Sequence, residues 1–334
     1  MVAIFPTQYS LLSATALKDH VEQRYGFGEL TGSLLLHNVS DTYLLASPTD
    51  KYIFKVYRRA HRSLTEIRGE VELLTTLKEQ GAKVSYPLSD LTGSYIQEFN
   101  AAEGIRHGVL FTFAPGKPVY DLTDEQLTIV GREMAFVHNI TSRIDLQHDR
   151  KVYDINTTII EPLKTLKQAF ADDPDSYDYL LATADRVIRK MASIDTAAFN
   201  YGYCHYDFLP KNFHFDPDNT LTFFDFDFAG KGFLANDLLS FSLHFFFHAS
   251  AGKLTQAEAD RAFGVFLAGY RAIRSISDEE IAAIPYLGFM FWTFYLGFQY
   301  ENFDDWSNFF FTPRYVKDFV DSRVKRYVDR YCQF

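Results

Sequence analysis

The chain reads Tyr203-Cys204-His205-Tyr206-Asp207-Phe208-Leu209-Pro210-Lys211-Asn212, then Phe213-His214-Phe215, Asp216-Pro217-Asp218-Asn219, and Leu221-Thr222-Phe223-Phe224-Asp225-Phe226-Asp227. A Pro/Asp/Asn turn between two apolar runs predicts a hairpin. Such a hairpin sets Asn212, just before its first strand, beside Asp225, just after its second. Asp207 lies on the entering loop and Asp227 two residues beyond Asp225. Carboxylates and an amide at one end of a short sheet are hard oxygen ligands suited to Mg²⁺, which is usually held by one or two carboxylates plus substrate phosphates. A remaining aspartate can accept the proton of a hydroxyl.

The chain changes texture along its length. Between residues 34 and 113 it predicts short strands broken once by a helix: Leu34–Leu36, Tyr43–Leu45 and Tyr52–Tyr57 form a meander. A helix over Glu66–Gln80 follows, with Ile67, Val71, Leu74 and Leu77 on one face and Gly81 closing it. Strands near Ser94–Phe99 and Val109–Phe113 lead into Ala114-Pro115-Gly116-Lys117-Pro118, a Pro/Gly-rich hinge. Beyond it the pattern is helical. Thr123/Gln126, Thr255/Glu258 and Ser277/Glu280 are capping boxes, each opening a helix. The expected organisation is an N-terminal region over 1–113, a hinge at 114–118 and a helical region over 119–334, interrupted by the hairpin segment.

His205-x-Asp207-x-x-x-x-Asn212 followed by Asp225-Phe226-Asp227 resembles the catalytic loop and metal-binding motif of the protein-kinase-like fold. More narrowly, the chain is similar to the aminoglycoside phosphotransferase, choline kinase and type II homoserine kinase superfamily. The resemblance implies an α+β, two-lobed fold with a β-rich N-terminal lobe, a mostly helical C-terminal lobe and ATP between them. It gives Asp207 as the group that orients and deprotonates a hydroxyl. Asn212 and Asp225 become ligands of Mg²⁺, with Asp227 either a second ligand or a variant of the family glycine. Lys55, in Ile53-Phe54-Lys55-Val56, matches the strand lysine on the nucleotide phosphates, and Glu70 the helix glutamate that pairs with it. Ser40 and Thr42 fall on the phosphate-covering loop, and the backbone of Thr112, Phe113 and Ala114 on the adenine-binding strand. His205 and Asp237 are expected to support the catalytic loop, and Leu12–Gly26 resembles an N-terminal helix of two branches of the family.

The sequence departs from that pattern twice. Tyr206 stands where glycine is usual, which either narrows the substrate mouth or changes the loop backbone. Lys211 directly precedes Asn212, whereas protein kinases carry their loop lysine two residues after the aspartate, so no transfer role is assigned to it. His138, His244 and His248 read as core or surface histidines.

The acceptor is less legible. Phe291, Trp292, Phe294, Tyr295, Phe298, Tyr300 and Trp306 with Glu301, Asp304 and Asp305 could hold a cationic amine, but a Phe-rich helix core with a solvated acidic cap is the preferred reading. The expected activity is transfer of the γ-phosphoryl group of ATP, with Mg²⁺, to a small-molecule hydroxyl, a cationic acceptor being left open. The alternatives are a protein Ser/Thr acceptor, a non-catalytic nucleotide-binding regulator and an ATP-independent binding module.

Composition bounds these readings. The 334 residues carry 33 Lys+Arg against 43 Asp+Glu, a net charge of −10, which argues against a general nucleic-acid binder. Cys204 and Cys332 are far apart and suggest neither a disulfide scaffold nor a zinc site, and a reducing cytoplasm fits them. The start, MVAIFPTQYS, does not read as a secretion signal. The most apolar run, Ile284–Phe298, falls short of the ~20 residues of a bilayer crossing and predicts a buried helix.

Overall fold

The computed structural model describes residues 5–302 and 313–334, and Asp304, Asp305 and Trp306 lie outside them. The chain divides into two compact units, residues 1–115 with 146–149, and residues 116–145 with 150–334.

The first unit is built on an antiparallel sheet. Strands β1 (Thr31–His37), β2 (Ser40–Ala46), β3 (Lys51–Tyr57), β4 (Pro87–Leu88), β5 (Ile96–Ala101) and β6 (Gly104–Thr112) are ordered β1-β2-β3-β6-β4, with β5 also on β6. Tyr43, Leu45, Phe54 and Val56 turn one face onto helix α1 (Ala14–Tyr25), where Leu17, Val21 and Tyr25 complete a core cluster. Period-two alternation sends Lys55, between Phe54 and Val56, to the opposite face, where helix α2 (Leu64–Glu79) carries Glu70. Helix α2 begins two residues before the position expected from periodicity, because Ser63 and Glu66 form a capping box. Glu72 of α2 accepts hydrogen bonds from the backbone of Gln147 (2.7 Å) and His148 (3.2 Å), which ties 146–149 to this unit. Below α1, Asp90 is buried and accepts from Arg24, Thr92, Ser94 and Gln97.

The second unit is mostly helical: α3 (Asp124–Thr141), α4 (Glu161–Leu166), α5 (Pro174–Ala192), α6 (Ala235–Ser250), α7 (Gln256–Arg271), α8 (Asp278–Asn302), α9 (Pro313–Phe319) and α10 (Arg326–Tyr331). The capping boxes expected at Thr123 and Thr255 are present, and Ser277 exchanges hydrogen bonds with Glu280 at the start of α8. Helix α8 is long and apolar enough by length and composition to cross a membrane, yet 78% of its most apolar window is buried inside the protein. The predicted hairpin forms as β8 (Phe213–Phe215) and β9 (Leu221–Phe223). A second pair, β7 (Tyr201–Cys204) with β10 (Gly230–Phe233), frames it and was not expected from the sequence. Gly116 takes a φ of +88°, and the next residue, Lys117, bridges to Phe215, so the Pro/Gly stretch is hydrogen-bonded to β8.

Helices α3 and α7 cross with glycine on both sides. A Cβ on Gly131 would overlap the Phe266 carbonyl and the Tyr270 amide, and one on Gly269 would overlap the Thr128 carbonyl. Backbone atoms cannot step aside as a flexible side chain can, so Gly131→Ala is expected to cost about 3 kcal/mol, the upper range for overpacking. Chemical denaturation checks this, and an unchanged midpoint would contradict the close crossing.

Candidate active site

The loop His205–Phe208 is fixed by its backbone donors. His205 N and Tyr206 N donate to the two carboxylate oxygens of Asp237 at 2.8 and 2.7 Å, Asp207 N to His205 Nδ1 at 3.2 Å, and Phe208 N to Ser240 Oγ at 2.9 Å. Four successive N–H groups therefore have partners inside the protein, which holds the loop in one conformation. Because Nδ1 of His205 accepts, its Nε2 is the protonated nitrogen and donates to the Phe224 carbonyl at 2.9 Å. Asp237 is fully buried and also accepts from His138 Nε2 at 2.9 Å, while His138 Nδ1 lies 2.8 Å from the Tyr270 hydroxyl. His138 belongs to this support, a role its helical sequence surroundings gave no means of finding.

Tyr206 takes a left-handed φ of +68°. The backbone keeps a shape natural to glycine, at a cost of roughly 1–2 kcal/mol for an L-residue. Its ring does not narrow a mouth: it is buried, stacked on Tyr153 at 3.4 Å between centroids and set edge-on to Phe294. Burial of a large aromatic surface offsets the backbone strain.

Asp207 presents its carboxylate at the head of the hairpin. Asn212 Nδ2 donates to Asp207 Oδ2 at 2.9 Å and to its carbonyl at 2.8 Å, and Lys211 Nζ stands 2.8 Å from the same Oδ2. Both side-chain contacts fall on one oxygen, leaving Oδ1 as the oxygen engaged by neither. Burial lowers the Lys211 pKa, but the Asp207 carboxylate, its hydrogen bond and Asp225 together raise it above the ordinary lysine value. The Lys211 ammonium therefore stays protonated through the neutral range and loses its proton only as pH rises past that value. This contact of Lys211 with the Asp207 carboxylate is not suggested by protein-kinase spacing.

With its Nδ2 on Asp207, Asn212 turns its amide oxygen the other way. The backbone bond from Phe224 N to Asn212 O, 2.9 Å, closes the hairpin and brings the next residue, Asp225, alongside. Asp225 is exposed and takes a left-handed φ of +62°. Asp227 is buried instead, and Arg150 grips the turn after it, donating to the carbonyls of Phe226 (3.2 Å), Asp227 (2.5 Å) and Ala229 (2.8 Å). No group of three His, Cys, Asp or Glu gathers within metal-binding reach among the described residues; Asn212 and Asp225 carry oxygen donors of the kind a hard cation takes.

In the first unit, Lys55 Nζ lies 3.7 Å from Glu70 Oε1, both buried, and Lys55 sits beside Thr42 in the β2–β3 register. Ser40 begins β2 opposite Tyr57. The backbone of Thr112 is engaged, its N–H donating to the Tyr86 carbonyl and its own carbonyl accepting from Ser85 Oγ. Of the acidic residues near the aromatic helix, Glu301 accepts from Thr165 Oγ1 at 3.0 Å. Phe291, Trp292, Phe294 and Phe298 are buried, as a core helix requires.

Residues 32–276 match the family model described as "Phosphotransferase enzyme family". The chain belongs to that family. Among its curated relatives, an uncharacterized protein of Deinococcus radiodurans is 29% identical over 84% of this chain and 80% of its own length. A homoserine kinase of Methylobacillus glycogenes is 24% identical over 80% of each chain. Of solved structures, a microcompartment-associated aminopropanol kinase superposes with a TM-score of 0.74 at 19% identity, covering 95% of this chain and 98% of that one. An amicoumacin kinase in complex with AMP-PNP, Ca²⁺ and Ami gives 0.72 at 20% identity, covering 93% and 94%. The fold of this phosphotransferase-family chain is the two-lobed kinase-like one, β-rich at the N-terminus and helical at the C-terminus.

Proposed function

We propose that the protein transfers the γ-phosphoryl group of ATP to a hydroxyl of a small molecule, with Mg²⁺ as cofactor. The observation that carries this reading is Asp207, its loop locked by Asp237, His205 and Ser240 and its carboxylate oriented by Asn212 and Lys211. In the reaction the acceptor oxygen forms a bond to the γ-phosphorus, the bond from that phosphorus to the β,γ-bridging oxygen breaks, and ADP leaves. The hydroxyl proton passes to Asp207. Asn212 and Asp225 would supply oxygen ligands for Mg²⁺, with Asp227 either a second ligand or a variant of the family glycine, and the ion when bound would neutralise charge on the phosphates. Lys55, steadied by Glu70, holds the nucleotide phosphates. Ser40 and Thr42 cover them, and the backbone of Phe113 and Ala114 meets adenine, Thr112 having its N–H and carbonyl engaged with Tyr86 and Ser85. Little covalent help is needed for this chemistry, so positioning and charge neutralisation supply most of the rate.

Thermal unfolding with MgATP tests the nucleotide part. Ligand at a hundredfold excess over its Kd stabilises the folded state by about 2.7 kcal/mol, so the melting temperature is expected to climb with MgATP concentration. Asp225→Ala should remove the magnesium-dependent share of that rise, and Lys55→Ala most of the ATP-dependent share. A flat response at millimolar MgATP would overturn the reading.

A further inference from the structure

Strand β2 carries a carboxylate that the phosphotransfer reading does not use. Asp41 is fully buried, and by period-two alternation it shares the face turned onto α1 with Tyr43 and Leu45. Its neighbours Ser40 and Thr42 turn to the other face, where the half-buried Thr42 pairs in register with Lys55. Asp41 itself pairs with Val56 of β3 and, past a bulge between Leu34 and Leu36, with His37 of β1. It therefore stands at the root of the β1–β2 turn, behind the residues assigned above to the nucleotide phosphates.

Both oxygens of Asp41 are engaged. Oδ1 lies 2.6 Å from His37 Nδ1, and Oδ2 accepts from Arg106 Nη2 at 3.0 Å and from the Tyr9 hydroxyl. Arg106, on β6, is also fully buried and donates to the carbonyls of Val56 (3.3 Å), Tyr57 (3.2 Å) and Ser10 (2.9 Å). Its Nη1 lies 3.8 Å from Glu103, which accepts from Ser10 Oγ at 2.5 Å. The guanidinium groups of Arg58 and Arg106 stand 4.3 and 4.7 Å from the centroid of the Tyr9 ring. Burial first, and then the hydrogen bond to Asp41, push the Tyr9 phenol up to about 12, so it donates throughout the neutral range. Tyr9 and Ser10, ahead of α1, are thus joined through one carboxylate and one guanidinium to the β1–β2 turn. A buried ion pair of this kind adds little net stability, because desolvation of both charges offsets their attraction. Its effect is directional: charge-assisted hydrogen bonds fix the Asp41 side chain and, through the strand, the way Ser40 and Thr42 face.

We propose that Tyr9, Asp41 and Arg106 are positioning residues of the nucleotide site, holding the β1–β2 turn from behind so that the turn and Thr42 meet the ATP phosphates beside Lys55. The segment ahead of α1 serves nucleotide binding in this way without touching the nucleotide. This rests on the phosphotransfer reading above and deepens it.

The test compares two single-hydroxyl deletions. Tyr9→Phe removes the donor to Asp41 and leaves the ring beside its two guanidinium groups. Tyr43→Phe is the matched control: Tyr43 lies on the same face of β2 as Asp41, is fully buried, and donates instead to the Leu12 carbonyl at 2.7 Å. Titration calorimetry with MgATP, on samples whose melting temperatures are also measured without ligand, separates positioning from general loosening. Tyr9→Phe is expected to raise the Kd for MgATP about fivefold, the low end of coupling between distinct sites. Tyr43→Phe is expected to leave that Kd within twofold of the parent while losing at least as much melting temperature. An unmoved Kd in Tyr9→Phe overturns this inference alone. So does an equal or larger rise in Tyr43→Phe, since any lost hydroxyl in this core would then have the same effect. A parent protein that binds no MgATP overturns the phosphotransfer reading and this inference with it.

Discussion

Asp207→Asn is expected to lower kcat/KM by about 10² to 10⁴, the range that a positioned general base contributes, while leaving stabilisation by MgATP close to that of the parent protein. The substitution keeps the size of the side chain and a carbonyl oxygen for Asn212 and Lys211, which approach Oδ2 at 2.9 and 2.8 Å, and removes the negative charge opposite Lys211 together with the ability to take a proton. Steady-state ADP release and thermal unfolding on the same sample separate the two effects. Activity within threefold of the parent would remove Asp207 from the chemistry.

The largest stability effect is expected at Asp237. Its carboxylate accepts from His205 N, Tyr206 N and His138 Nε2, all without access to water. Asp237→Ala strands these donors in the interior. Removing one partner of a buried charged network costs about 3–5 kcal/mol, or a fall in melting temperature of about 10 °C for a unit of this size. Activity should fall further than stability alone requires, since the His205–Phe208 backbone loses its anchor. A melting temperature within 2 °C of the parent, measured without ligand, would show that the loop is held by other contacts.

The hairpin and its flanking residues were legible because the information is local: a Pro/Asp/Asn turn, two short apolar runs and motif spacings that fix which residues meet at one end. The three capping boxes were legible for the same reason, since each requires only residues four positions apart or fewer. The box at Ser63 and Glu66 was overlooked because Leu64, the first helical residue, precedes the first member of the apolar series, Ile67. The β7–β10 pair escaped because Gly202, Gly230 and Gly232 interrupt both strands, and its cause is close packing: a Cβ on Gly230 would overlap the Lys151 carbonyl. Contacts distant in sequence left no signal. His138 meets Asp237 across 99 positions, Arg150 grips carbonyls 76 to 79 residues away, and Glu301 reaches Thr165 across 136. Lys211 was assigned no transfer role, and its spacing gave no hint that a lysine four residues after Asp207 reaches the same carboxylate oxygen as Asn212.

The central claim is transfer of a phosphoryl group to carbon-bound oxygen. Phosphorus-31 NMR of the protein with MgATP and the preferred acceptor follows that group directly. Loss of the γ-phosphate signal should match growth of ADP and of one new phosphate-monoester resonance, and neither should occur with Asp207→Asn. Conversion of ATP to ADP and inorganic phosphate alone, at the same rate with and without acceptor, would contradict the account.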